Sequence, residues 1–135
     1  MKSPEEITSI MLEKDAFSVW LGIEIISIKE GFCELTATVK EDMLNGFAIL
    51  HGGISYSLSD SALAFASNSY GNKCVSIETS ISHVRQAKIG DILTAKCTEL
   101  HRGKTIGIYE VIIANQDHKK ISIFKGTVHI SQDFW

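Results

Sequence analysis

The chain has 135 residues, 44% of them hydrophobic and 21% charged, which is the size and balance of one globular domain and excludes a disordered segment. A formal net charge of −3 argues against a protein that works by neutralising nucleic-acid phosphates. Three cysteines, Cys33, Cys74 and Cys97, are too few and too scattered for a disulfide framework or a metal knuckle. Free thiols suit a reducing cytoplasm, and neither a secretory signal nor a membrane-spanning run is visible.

Ser3-Pro4-Glu5-Glu6 reads as a helix start, with Ser3 as cap, Pro4 in the first turn and Glu6 closing a capping box. Ile7, Ile10, Met11 and Lys14 follow at helical spacing, and the helix is predicted to end near Asp15. Phe17, Val19, Trp20 and Leu21 form an apolar cluster expected to pack onto a sheet. Ile23 to Ile28 is a predicted strand, turning at Lys29-Glu30-Gly31 into a second strand, Phe32 to Val39. There Cys33, Leu35, Ala37 and Val39 alternate with Glu34, Thr36 and Thr38, the pattern of a half-buried strand.

Lys40 to Leu50 is a loop with a turn signal at Asn45-Gly46. From about Gly52 to Tyr70 the chain runs without Pro or further Gly after Gly53, and reads as the long central helix, stopped by Gly71-Asn72. Ile54, Leu58, Ser61, Ala62 and Phe65 share one face. Asp60 lies off that stripe, near Gly53, Tyr56, Leu63, Ala64 and Ser67, so the helix's one carboxylate sits on a small, semi-apolar face. Four predicted strands follow: Cys74 to His83, Ile92 to Leu100, Thr105 to Ala114 and Ile121 to Ile130. The third is apolar on both faces and is placed centrally. In the first, strict alternation sets Val75, Ile77, Thr79 and Ile81 against Ser76, Glu78, Ser80 and Ser82. Short turns favour an antiparallel meander. The fold class is therefore α+β: an antiparallel sheet curled around one long helix, with a short N-terminal helix, in a single domain over residues 1–135.

The chemistry-bearing stretch runs from Asn45 through His51-Gly52-Gly53 to Asp60. Glycine at a helix start leaves backbone N–H groups bare where the helix dipole favours developing negative charge. With a histidine, an asparagine and a carboxylate nearby, this is a set of parts for acyl transfer. The five histidines show no metal-ligand spacing.

The Asn45, His51-Gly52-Gly53 and Asp60 spacing resembles the hotdog-fold acyl-CoA thioesterases of the phenylacetate-degradation (PaaI) type. The likeness extends to Trp20-Leu21-Gly22-Ile23, Val75-Ser76-Ile77, Arg85-Gln86-Ala87, Gly90-Asp91 and His101-Arg102-Gly103-Lys104. Gln86 stands where that family often has proline. The resemblance implies hydrolysis of an acyl-CoA, with CoA as part of the substrate and no other cofactor. It implies homodimers that pair into tetramers, sites at the dimer interface, and neither a nucleic-acid nor a membrane partner. It casts Gly52 N–H as donor to the thioester oxygen and Asp60 as nucleophile or general base. Asn45 positions water or the carboxylate, His51 orients the Gly52 turn, and Ser76 assists water or substrate. Gly53 and Tyr56 are expected against the substrate. Arg85, Lys88, Arg102, Lys104 and Lys125 are candidates for the CoA phosphates. Phe17, Trp20, Tyr56 and Leu63 are expected to line a pocket for an aryl or medium-chain acyl group. Two other readings stay open: a non-catalytic acyl-CoA-binding module, and a hotdog dehydratase or hydratase.

Overall fold

The computed structural model describes all 135 residues. Helix α1 spans Pro4–Lys14, and its capping box forms as the sequence predicts: the Ser3 hydroxyl accepts from Glu6 N, and the Glu6 carboxylate accepts from Ser3 N at 2.7 Å. The Phe17 to Leu21 cluster departs from expectation. It forms a second short helix, α2 (Ala16–Leu21), capped by Asp15 and stopped by Gly22 at a left-handed φ of 74°. Only Leu21 of the four is buried; Phe17, Val19 and Trp20 are 52%, 64% and 41% exposed. Helical spacing turns one side of a six-residue helix inward, so a run of apolar residues cannot all reach the core.

Strands β1 (Glu24–Lys29) and β2 (Phe32–Thr38) form the predicted hairpin. The alternation in β2 holds, with Cys33, Leu35, Ala37 and Val39 buried. Helix α3 (Gly52–Asn68) comes next, then β3 (Asn72–His83), β4 (Ile92–Arg102), β5 (Ile106–Ala114) and β6 (Lys120–Phe134). All six strands make one antiparallel sheet in the order β1-β2-β4-β5-β6-β3. β5 is interior, as its two apolar faces predict.

The order explains the helix. β2 pairs with β4 near one edge, while β3 forms the other edge beyond β6, so α3 must carry the chain across the width of the sheet. It does so with Leu58, Ala62, Phe65 and Ala66 fully enclosed. Each large side chain so buried contributes about 1.5–3 kcal/mol. Close approach is permitted by Gly126 on β6, where a Cβ would stand 2.5 Å from Leu63 Cδ2. No helix is long and apolar enough to cross a membrane.

β3 corrects the strict alternation read from the sequence. Its register with β6 runs Val75↔His129 and Ser76↔Val128, then slips so that Glu78 pairs with Thr127 and Thr79 with Gly126. Ile77 is the extra residue of a β-bulge. Ser76 therefore shares the inward face with Thr79, Ile81 and His83, not the outward polar face. β3 is also an edge that keeps Val75 and Ile77 65% and 58% exposed. A long apolar edge of this kind is normally covered by another strand.

Candidate active site

The turn into α3 is built around His51. Its backbone is extended (φ −63°, ψ 132°), and its Nδ1 accepts from Gly53 N at 2.9 Å, so the imidazole is the helix N-cap. A Cβ at Gly53 would lie 2.9 Å from that same Nδ1, so any other residue there would push on the capping imidazole. Backbone bonds from His51 N to Met43 O and from Ile54 N to His51 O complete the turn. These bonds leave Gly52 N–H, first in the helix, without an acceptor. It opens on a cleft of about 390 Å³ lined by Asn45, Ser55, His83, Arg85 and Gln86, among others. A bare N–H at a helix N-terminus facing a cleft is suited to an oxygen that gains negative charge.

Asn45 is in that cleft, but its side-chain oxygen is engaged. It accepts from Phe47 N at 2.9 Å and Ile49 N at 3.4 Å, bracing the loop before the helix. The amide NH₂ is the group left to meet a bound molecule. Arg85 also lines an adjoining hollow with Lys88, Asn115, Gln116 and Asp117, so two cations flank one continuous groove leading from Gly52. Asp91 backs this hollow, held by Lys88 N and Gln116 Nε2, both at 2.9 Å; those hydrogen bonds keep its carboxyl below the usual value.

Asp60 lies elsewhere. Eight residues separate it from Gly52, about 12 Å along the helix axis. It lines a separate pocket of about 200 Å³ with Leu63, Ala64, Ser67, Cys74, Val75, Ser76 and Val128. Ser76 reaches this pocket because it lies before the bulge, on the face of β3 that carries buried Cys74. Burial pushes the Asp60 carboxyl up from its ordinary value, and the nearby charge of Asp15 pushes it further. Asp15 reaches this region through Ser18, whose hydroxyl donates to Asp15 Oδ2 at 2.6 Å and meets Ser61 Oγ at 2.9 Å. The expected help from Asn45 to the Asp60 anion is absent within one chain: the asparagine belongs to the Gly52 cleft.

Three further groups of candidates take their places in the fold. Arg102 does not project to solvent from its turn. Its Nη1 donates to Ser67 O and to Tyr109 Oη, both at 3.2 Å, and its guanidinium lies 4.1 Å from the Tyr70 ring centroid. It thereby ties β4 to the C-terminal end of α3, away from Gly52, and Lys104 follows it in the exposed hairpin. Tyr56 is held by a 2.6 Å hydrogen bond to Thr79 Oγ1 and an edge contact with Phe124. Of the residues expected to line an acyl pocket, Leu63 alone stands beside Asp60, while Phe17 and Trp20 stack on each other on α2.

Sequence reasoning missed His83. Its Nε2 lies 3.1 Å from where a Gly52 Cβ would be, and its Nδ1 is 3.3 Å from Ser55 Oγ. The signal was present: with Thr79 and Ile81, His83 continues the inward face of its strand. Beside it on β6, the fully buried Ser122 hydroxyl has no partner.

Residues 47–122 match the Thioesterase superfamily, which is more than half of the chain. The chain is 44% identical over 119 residues to the acyl-coenzyme A thioesterase PaaI of Escherichia coli (strain K12), covering 88% of this chain and 85% of that protein. It is a thioesterase of the PaaI type. The structure of E. coli PaaI, from the phenylacetic acid degradation operon, superposes with a TM-score of 0.94 at 40% identity, covering 97% of this chain and 95% of that one. A Streptococcus pneumoniae TIGR4 thioesterase protein with coenzyme A superposes with a TM-score of 0.87 at 26% identity, over 93% and 98% of the two chains. The thioesterase therefore has the hotdog fold that its sheet order and crossing helix describe. Membership also makes the chain a hydrolase.

Proposed function

We propose that this thioesterase hydrolyses an acyl-CoA to free acid and CoA at a site completed by a second copy of the chain. One observation carries this reading. The free Gly52 N–H and the half-buried Asp60 stand in two pockets about 12 Å apart along one helix, and each pocket lacks what the other has. Pairing two chains through the exposed β3 edge supplies the missing half to each. The coenzyme A in the S. pneumoniae relative and the naming of E. coli PaaI support CoA as the carrier.

In this reading the thioester oxygen takes the Gly52 hydrogen bond, which strengthens as the carbonyl carbon becomes tetrahedral. Asp60 of the second copy attacks that carbon or draws a proton from the water that does. The Ser76 hydroxyl, beside Asp60, holds the same water or the acyl group. The Asn45 amide donates from the Gly52 side, and His51 keeps the turn in place. The CoA arm leaves along the groove toward Arg85 and Lys88, which take phosphate charge. Arg102 and Lys104, at the far end of α3, reach this ligand only from the second copy. The 200 Å³ pocket beside Asp60 is walled by Leu63, Ala64, Val75 and Val128, which suits an aryl or medium-chain acyl group.

The test is thiol release from a panel of acyl-CoAs, with Asp60→Asn as comparison. Turnover lost in the variant at unchanged oligomeric state is the expected result. Mixing Asp60→Asn with a Gly52→Pro variant then tests the shared site, since a mixed dimer regains one intact Gly52–Asp60 pair. CoA-ester binding without turnover by the native protein would overturn hydrolysis in favour of the binding module.

A further inference from the structure

We propose that His83 is a substrate-binding residue that accepts a hydrogen bond from the amide N–H of the CoA arm nearest the sulfur. This rests on the thioesterase reading above. The placement comes first. His83 Nε2 lies 3.1 Å from the ideal Cβ position of Gly52, and that position is about 1.5 Å from Gly52 Cα, so the ring nitrogen is within about 4.6 Å of Cα. The same cleft holds Gly52, His83 and Arg85, and Arg85 also lines the adjoining hollow with Lys88. A thioester held by Gly52 N–H with its phosphates toward Arg85 has His83 beside its arm in the same cleft.

The hydrogen bonds favour one form of the ring. Ser55 Oγ has one proton, which we assign to Gly52 O at 3.1 Å, the shorter of its two contacts. The 3.3 Å contact between Ser55 Oγ and His83 Nδ1 is then one in which the ring N–H donates. In the neutral ring this leaves Nε2 as a bare lone pair. A lone pair repels an oxyanion, so neutral His83 is not a second oxyanion donor. It accepts from an N–H instead. Two methylenes separate the thioester sulfur from the first amide nitrogen of the arm, a reach of about 4 Å. With a hydrogen bond of about 3 Å added, the amide N–H comes within reach of Nε2 from a thioester anywhere within about 7 Å of it, which includes one held by Gly52 N–H. The groups packed around the ring, Gly52 and Ser55 of α3, Asn45 of the loop and Ser122 of β6, carry no charge; Arg85 is the one cation lining the cleft. His83 is exposed, so its replacement opens no hole in the core.

The experiment compares one acid presented as its N-acetylcysteamine thioester, which keeps this amide, and as its S-butyl thioester, which does not. His83→Phe keeps a ring without an acceptor, and His83→Gln places an amide oxygen near the Nε2 position. A net neutral hydrogen bond corresponds to a change of about three- to tenfold. The expected result is that His83→Phe raises KM by this factor on the amide thioester, with little change in kcat and none on the butyl thioester, and that His83→Gln recovers most of the loss. An unchanged KM, an equal rise on both thioesters, or a Gln variant as poor as Phe overturns the assignment. If His83→Phe does not fold, the native enzyme and His83→Gln must still share a preference for the amide thioester that His83→Leu lacks. A native protein that turns over no thioester at all overturns the hydrolase reading itself, a different outcome from active enzyme indifferent to position 83.

Discussion

Gly52→Pro isolates the proposed oxyanion donor without asking the backbone to move. Gly52 is the first residue of α3, the position where proline is tolerated because its missing N–H is unpaired in any case. The preceding residue, His51, is already extended at φ −63° and ψ 132°, as a residue before proline must be. Gly52→Ala is the control, since it also adds a Cβ near His83 Nε2, 3.1 Å away, but keeps the N–H. Both variants displace the exposed imidazole by a few tenths of an ångström; only proline removes the donor. Loss of one oxyanion donor costs about 3 kcal/mol, or roughly a hundred- to a thousandfold in kcat. The expected order is therefore native, then Gly52→Ala with a modest loss, then Gly52→Pro lower by about two orders of magnitude, with similar melting temperatures. The assay is single-substrate thiol release under saturating acyl-CoA. A proline variant that retains the kcat of the alanine variant would show that Gly52 N–H does not bind the reacting oxygen, and the assignment of the Gly52 cleft would fall with it.

Other outcomes follow from the same coordinates. Asp60 has a carboxyl raised above its unfolded value, so the folded state holds its proton more tightly than the unfolded state does. Stability from this group is present below the ordinary Asp value of about 3.9 and is lost as pH rises through the folded value. Asp60→Asn is thus expected to melt higher than native at neutral pH while losing activity, and the difference should vanish below that range; an Asn variant that melts lower at neutral pH contradicts the burial. Gly126→Ala would drive a methyl to 2.5 Å from Leu63, and a loss of about 1–3 kcal/mol is expected by urea denaturation. Burial raises the Cys33 thiol to about 12 and holds Cys97 well above its ordinary value. Neither should react with a thiol reagent at pH 8 until the protein unfolds, which a stopped titration with and without denaturant would show. Native thiol counting thus leaves the released CoA free of background from these two residues.

The elements that depend on near neighbours were legible in the sequence. The capping box at Ser3 and Glu6, the alternation of β2, the start of α3 at Gly52 and the interior place of β5 all form as the residue pattern implies. Each is settled within a few residues, by a cap, a period or a turn. Asn45, His51, Gly52 and Asp60 were singled out as candidates, because a glycine pair before a helix and one carboxylate on a small face are local features.

What the sequence left open depends on pairings between distant residues. The bulge at Ile77 is set by the register of β3 against β6, some fifty positions later, and it puts Ser76 on the same face as Thr79, Ile81 and His83. Arg102 reads as a candidate for the CoA phosphates, and only the fold shows Ser67, Tyr70 and Tyr109, brought together by helix and sheet, around its guanidinium. His83 meets Gly52 only because β3 crosses back beneath the helix start. The separation of Gly52 from Asp60 is likewise a property of α3, whose 1.5 Å rise per residue spreads eight residues over about 12 Å. Local chemistry named the candidate groups; the packing of one long helix across the sheet decided which of them one chain can bring together.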